Sequence, residues 1–139
     1  MKPVFCQVKH DPDAGTFGDC VRACIASLLE LGPGAVPHFY HDSCDGETGH
    51  TRIREWLATR GLVPFYAYYN GNDPLETVLE HMNTVNPGVH YMLYGNTGES
   101  DHVVVCCGNK IVHDPAWVPT DFVAANSTGY WSVMVIAVK

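Results

Sequence analysis

The chain has little positive charge. Its 8 Lys and Arg residues stand against 15 Asp and Glu residues, which gives a formal net charge of -7 at pH 7. Phosphate backbones and anionic membranes attract proteins through a positive surface. We therefore expect neither a nucleic acid nor a membrane as partner, and a basic or neutral partner would approach more easily.

A long hydrophobic run is also missing. No stretch approaches the roughly 20 apolar residues that span a bilayer, and none follows the single basic residue near the start, Lys2. Repeats, linkers and low-complexity tracts are absent as well. These absences predict a cytoplasmic protein and a single domain over residues 1–139, a length that buries about two thirds of its surface.

The cysteines do not form the pattern of a secreted disulfide framework. There are six, but Cys24 falls inside a helical pattern, and Cys106 and Cys107 are adjacent. Disulfide-stabilised domains space their cysteines so that separate loops can be joined. We therefore predict reduced thiols.

The most informative segment is an apolar helix that begins at Cys20. From Cys20 to Leu31, apolar side chains recur at helical spacing over a wide arc, so the helix is predicted to be mostly buried. The run Gly32-Pro33-Gly34 is expected to end it, because glycine takes the left-handed cap and proline cannot continue a helix.

Periodicity and turn residues predict the remaining elements. The predicted strands are Val4–Val8, Val63–Tyr69, His90–Tyr94, His102–Cys107, Lys110–Asp114 and Tyr130–Val138, and the further helices are Thr51–Arg60 and Asp73–Asn83. Helices first and strands afterwards predict an α+β fold, in which the buried N-terminal helix packs on a C-terminal antiparallel sheet.

Cys20 has the position of a nucleophile. The free N–H groups of a helix N-terminus place partial positive charge beside a sulfur and favour thiolate over thiol. They also stabilise the oxyanion that forms when a thiolate attacks an acyl carbon, so the Cys20 amide is one candidate donor. Gln7 is the candidate for a second donor. Asp19 is the other candidate residue of the oxyanion site. Alternatively, its carboxylate caps the helix, where its charge would disfavour the thiolate.

His102 and Asp114 are the candidate base and orienting carboxylate. A three-residue hairpin loop, 107–109, places them opposite each other on one face of the sheet. A two-residue loop, 108–109, places them on opposite faces. In the first register Asp114 accepts a hydrogen bond from one ring nitrogen of His102, which leaves the other for the thiol. His113 would then face away.

These motifs resemble those of papain-like cysteine peptidases. The matching stretches are Gly18-Asp19-Cys20 with its helix, Asp101-His102 before three valines, and Val112-His113-Asp114-Pro115. They are nearest to the leader-peptide-processing peptidase domains of bacteriocin exporters and to small uncharacterised phage relatives. The resemblance implies a papain-like fold, with Cys20 as nucleophile, His102 as base and Asp114 as the orienting residue. The family's oxyanion glutamine usually lies a turn or two before the cysteine, where this chain has Ala14.

Together the residues predict a cysteine-nucleophile hydrolase that cleaves a peptide, isopeptide or amide bond through a thioester, without a cofactor. The expected substrate is a peptide, a protein or an amide-containing small molecule, and the candidate contact residues are His38, Tyr40, Trp56 and Asp101. The alternative is a catalytically inactive binding module of the same fold that sequesters a host protein or a small signalling molecule. In that alternative Cys20 only packs.

A histidine-rich loop raises the question of a metal. His38, His41, Cys44 and His50 are ligand types that zinc accepts, but they lack the tight paired spacing of structural zinc sites. We therefore predict no metal site and interpret the segment as a loop that lines the substrate cleft.

Overall fold

The computed structural model describes all 139 residues, Met1 to Lys139. The helices are α1 (Cys20–Leu29), α2 (Gly46–Ala58) and α3 (Leu75–Val85), and the strands are β1 (Leu62–Asn70), β2 (His90–Asn96), β3 (Asp101–Cys107), β4 (Lys110–His113), β5 (Ala124–Ala125) and β6 (Tyr130–Val138). None of the helices combines the length and apolar content that crossing a bilayer demands.

The strands form one antiparallel sheet in the order β1-β6-β2-β3-β4, and β5 pairs with the end of β2. Alternation along β3 divides its residues between two cores. Val103 and Val105 pack with α1 and α2 on one face, whereas Val104 and Cys106 pack with α3 on the other. The α+β prediction, with a buried cysteine helix on an antiparallel sheet, is confirmed.

Helix α1 is buried along most of its length. Its central residues Ala23 to Ser27 are at most 1% exposed. The Ser27 hydroxyl donates to the Ala23 carbonyl at 2.8 Å and accepts from the Val4 amide at 2.9 Å. The one buried polar side chain in this stretch is therefore satisfied, and it ties the N-terminal segment to the helix.

The predicted strand Val4–Val8 is wrong, because its backbone groups bond outside any sheet. The Val4 carbonyl accepts from His113 Nε2 at 2.8 Å, and the Cys6 amide donates to the Pro115 carbonyl at 2.9 Å. The amides of residues 7 and 8 donate to the Asp19 carboxylate. Because its backbone groups are engaged in these contacts, the segment pairs with no strand of the sheet. The bonds to Asp19 hold it against the start of α1.

The end of α1 also differs from the expectation. Glu30, not Gly32, takes the left-handed conformation, with φ of 56° against -65°. The chain leaves the helix there because the Leu31 amide bonds back to the Ala26 carbonyl at 2.9 Å, and the Met1 amine pairs with the Glu30 carboxylate at 3.1 Å. These contacts offset the strain of a left-handed non-glycine residue, about 1–2 kcal/mol.

Two other differences from the predicted elements concern the start of α2 and the strand β5. Helix α2 begins at Gly46, five residues before the predicted Thr51, because Asp45 caps it by accepting from the Thr48 amide at 2.7 Å. The short strand β5 was not predicted, since its two alanines carry no periodic signal. Its pairing with β2 depends on where the preceding loop returns to the sheet.

Candidate active site

Of the two loop lengths that the sequence allows, the β3–β4 hairpin has the shorter. Cys107 pairs with Lys110 and Cys106 with Ile111, so the loop is Gly108-Asn109. A Gly108 with φ of 61° allows the tight turn. If this register continued along the strands, it would place residues 102 and 114 on opposite faces of the sheet.

A β-bulge in β4 brings residues 102 and 114 back to the same face of the sheet. After Cys106–Ile111 the next pair is Val105–His113, so Val112 has no partner and β4 carries one extra residue. One extra residue reverses the alternation beyond it. Asp114 therefore returns to the face of His102, and the expected meeting of the two side chains occurs for a different reason than the loop length.

His102 and Asp114 form a short hydrogen-bonded pair. His102 Nε2 donates to Asp114 Oδ1 at 2.6 Å, and the same oxygen accepts from the Ala116 amide at 3.0 Å. Burial is the largest single influence on each group and disfavours both charges, but the opposing interactions together outweigh it. At His102 these are the hydrogen bonds and charges of Asp114 and Cys20, and at Asp114 they are the hydrogen bonds from His102 and the Ala116 amide and the nearby histidine charges. The pKa of His102 is raised to about 9, and the pKa of Asp114 is lowered.

Cys20, the first residue of α1, lies near the His102 imidazole of this pair. One helical turn further along α1, the Cys24 thiol donates to the Val103 carbonyl at 3.5 Å, which fixes the helix against β3. Cys20 and His102 line the same cavity, and the thiol is close enough to affect the imidazole. Since Nε2 is bonded to Asp114, the nitrogen available to Cys20 is Nδ1.

Asp19 is the N-cap residue of α1, but its carboxylate makes no capping hydrogen bond, so the predicted alternative of a side-chain cap is wrong. Its buried carboxylate accepts from the amides of Gln7 and Val8, both at 3.0 Å, and from Arg22 at 2.5 and 3.0 Å. Burial opposes its ionisation, but Arg22 and the two amides hold the pKa of Asp19 below its usual value. With this carboxylate turned away, no side chain occupies the first-turn N–H groups at Cys20.

Gln7 lines the cavity, but its side chain is engaged elsewhere. Its Nε2 donates to the Phe5 carbonyl at 3.2 Å, and the residue is exposed. The structure therefore does not place the Gln7 amide group at the position expected of a second oxyanion donor.

The cavity has a volume of about 920 Å³. Its lining comprises Cys6, Gln7, Val8, Lys9, His10, Phe17, Gly18, Cys20, Tyr40, Asp42, Ser43, Cys44, Ser100, Asp101, His102, Ala116, Trp117 and Val118. Three of the six unpaired cysteines are among them. The candidate nucleophile Cys20 and the candidate base His102 therefore face the same cavity.

The expected substrate-contact residues divide into two groups. Tyr40 and Asp101 line the cavity, but the Asp101 carboxylate is occupied by Asn96 Nδ2 at 3.0 Å and by the amide and hydroxyl of Ser127. His38 and Trp56 lie outside the lining. His38 Nε2 donates to a backbone carbonyl, that of residue 17, at 2.6 Å, and Trp56 packs against other side chains of the core.

Sequence reasoning missed two aromatic residues at the site. Trp117 is 71% exposed, yet its indole donates to the Cys6 carbonyl at 2.7 Å. Phe122 lies beside His102, with ring centroids 6.2 Å apart. Its place depends on Gly95, the partner of His102 across the ladder, where a Cβ would come within 2.8 Å of the ring. Trp117 could have been suspected from its closeness to Asp114, whereas nothing local marks Phe122.

The histidine-rich loop is not gathered into a cluster. No group of three or more His, Cys, Asp or Glu side chains is placed to hold a metal ion. The ring centroids of His38 and His41 are 6.5 Å apart, and His50 stacks on Tyr66 instead. The three histidines lie outside the cavity lining, to which this segment contributes residues 40 and 42–44.

The hydrogen bond to Asp114 predicts a measurable titration of His102. In Asp114→Asn we expect the pKa of His102 to fall from about 9 toward its ordinary 6.5, because the amide keeps an acceptor but removes the charge. Histidine-selective NMR against pH measures it, with the signal assigned by its loss in His102→Ala. Asp121→Asn, at an exposed carboxylate, is the control. An unchanged midpoint would contradict the prediction.

The same shift sets a pH window for stability. Because the pKa of His102 is raised on folding, its charged form stabilises the fold fully below about pH 6.5, and this contribution is lost as the pH rises through about 9. The difference in unfolding free energy between the wild type and Asp114→Asn should therefore shrink across that window.

Comparison of the chain with protein-family models, with curated proteins and with solved structures gives no match. The chemistry assigned to the site therefore depends on its own geometry. That geometry is a thiol at a helix N-terminus, an imidazole beside it, and a carboxylate that orients the imidazole.

Proposed function

We propose that this protein is a cysteine hydrolase of the papain-like type, which cleaves a peptide, isopeptide or amide bond through a thioester. The observation that carries the proposal is the 2.6 Å hydrogen bond from His102 to Asp114 in the cavity that Cys20 lines. An imidazole that is oriented by a carboxylate and adjacent to a thiol is the arrangement that activates a sulfur nucleophile.

The reaction begins when the Cys20 thiol has transferred its proton to His102, which gives a thiolate and an imidazolium. The thiolate forms a C–S bond to the substrate carbonyl carbon, and the carbonyl electron pair moves to oxygen. His102 then donates its proton to the leaving nitrogen as the C–N bond breaks, which releases the amine and leaves a thioester. Neutral His102 deprotonates water, the hydroxide attacks the thioester carbon, and the C–S bond breaks to release the acid and restore Cys20.

The surroundings favour a substrate that is a peptide, a protein or an amide-containing small molecule. The cavity is lined by apolar side chains such as Phe17 and Val118 beside polar ones, which is typical of sites that take extended organic ligands. A cytoplasmic location belongs to the proposal, and the six unpaired thiols fit it because that compartment keeps cysteines reduced.

Iodoacetamide labelling of the native protein near pH 7, with mass spectrometry to locate the label, tests the proposal. We expect Cys20 to react much faster than the other cysteines. Cys6 is an internal control in the same cavity, because burial, with the charges of Cys20 and Asp19, raises the pKa of Cys6 to about 12. Cys24 is a second control, since complete burial raises its pKa well above the ordinary value of a thiol.

Slow labelling of Cys20, at the rate of Cys6 or Cys24, would refute the hydrolase and favour the catalytically inactive binding module. Fast labelling of Cys20 would justify a search among peptide, isopeptide and amide substrates. The small reagent makes the result independent of substrate specificity.

A further inference from the structure

The oxyanion of a tetrahedral intermediate at Cys20 needs a donor besides the Cys20 amide, and Gln7 is engaged with Phe5. Tyr40 lines the same cavity, and no residue accepts a hydrogen bond from its hydroxyl. We propose that Tyr40 donates its hydroxyl hydrogen to the substrate carbonyl oxygen as Cys20 attacks. This inference rests on the proposed function, and it adds the residue that completes the oxyanion site.

Tyr40 is held in place before any substrate binds. The preceding residue, Phe39, is buried, and its carbonyl accepts from Arg52 Nη1 at 2.9 Å. Arg52 also binds both carboxylate oxygens of Asp42 at 2.8 and 3.1 Å. The Phe39 backbone before Tyr40 and the Asp42 side chain after it are therefore both bonded to α2 through Arg52. A preorganised donor costs no reorganisation in the transition state.

A glycine on α2 makes room for the ring. A Cβ at Gly49 would lie 2.0 Å from Tyr40 Cε1, 2.2 Å from Cζ and 2.5 Å from the hydroxyl oxygen. Any side chain at this position would push the phenol aside. Gly49 does not have a positive φ, so its role is the space it leaves rather than backbone freedom.

The hydroxyl is a neutral donor over the working range. Burial, with the neighbouring Cys44 and Cys20, raises the pKa of Tyr40 to about 12. Tyr66 and Tyr94 also have hydroxyls without partners, but these are buried and do not line the cavity. Of the three, Tyr40 is the tyrosine that a substrate in the cavity can reach.

The step can be followed with p-nitrophenyl acetate. The Cys20 sulfur bonds to the acetyl carbon, the carbonyl electron pair moves to oxygen, and Tyr40 donates a hydrogen bond to that oxygen. Collapse of the intermediate breaks the ester C–O bond, which releases p-nitrophenolate and leaves acetyl-Cys20. Alkylation by iodoacetamide displaces iodide at a saturated carbon and forms no oxyanion.

The test compares these two reagents on the full chain carrying Tyr40→Phe. We expect acylation of Cys20 by p-nitrophenyl acetate to slow about 100-fold, the typical effect of losing one oxyanion donor, whereas alkylation changes little. Gly49→Ala, which displaces the ring and keeps the hydroxyl, should reproduce the selective loss. Tyr68→Phe, at a tyrosine 58% exposed on β1, should change neither rate.

Equal slowing of both reactions in Tyr40→Phe would overturn the proposal, because it would show an effect on the thiolate rather than on the oxyanion. Unchanged acylation in Tyr40→Phe would overturn it as well. Failure of wild-type Cys20 to react with iodoacetamide would instead refute the proposed function, so the two failures are distinguishable.

Discussion

Replacement of His102 by alanine is expected to reduce turnover of p-nitrophenyl acetate by about 10²–10⁴-fold, the usual contribution of a positioned acid–base group. His102 has two roles in the proposed reaction. Its positive charge stabilises the Cys20 thiolate, and in its neutral form it activates the water that releases the acyl group. Steady-state release of p-nitrophenolate measures the loss.

The variant also leaves Asp114 without its partner, so folding must be checked separately. His102→Gln retains an amide N–H for Asp114 but cannot carry a proton, and it should be equally inactive while unfolding near the wild-type temperature. His90→Ala, at an exposed histidine on β2, is the matched control and should keep full turnover. Turnover by His102→Ala close to that of the wild type would exclude His102 as the catalytic base.

Replacement of Asp19 by alanine is expected to lower the free energy of unfolding by about 3–5 kcal/mol, the usual cost of removing one partner of a buried ion pair. Arg22 would lose its partner, with only 18% of its side chain exposed. The amides of Gln7 and Val8 would lose their acceptor. The segment that walls the cavity would then detach from α1. Urea unfolding at pH 7 measures the effect.

Asp45→Ala is the matched control for this prediction. Asp45 is an exposed carboxylate that caps α2 through Thr48, so its loss should lower the free energy of unfolding much less than the loss of Asp19. A similar small loss in Asp19→Ala would show that the buried pair contributes little to folding.

The effect of Asp19 also has a pH signature. Because the pKa of Asp19 is held below its ordinary 3.8, its charged form stabilises the fold fully above that pH. The contribution is lost as the pH falls through the lower folded-state pKa. The stability difference between the wild type and Asp19→Ala should therefore be largest near neutral pH and shrink in acid.

The sequence predicted the elements whose signals are local. The apolar period of α1 and the β-rich runs of β2, β3 and β6 are properties of neighbouring residues. It failed at Val4–Val8, where composition suggested a strand, because the groups that bind this segment lie far along the chain. A strand forms only where a second strand can pair with it, and the five residues of this segment carry no information about such a partner.

The order of Cys20, His102 and Asp114 along the chain, and the helix that Cys20 begins, were determined by the sequence alone, because residue type and periodicity are local properties. Tertiary structure decided whether these residues meet. The bulge at Val112 turned Asp114 toward His102, and the glycine at position 49 gave Tyr40 its place in the cavity. Both depend on contacts between segments distant in sequence, where one residue of register or one Cβ changes which side chains face each other.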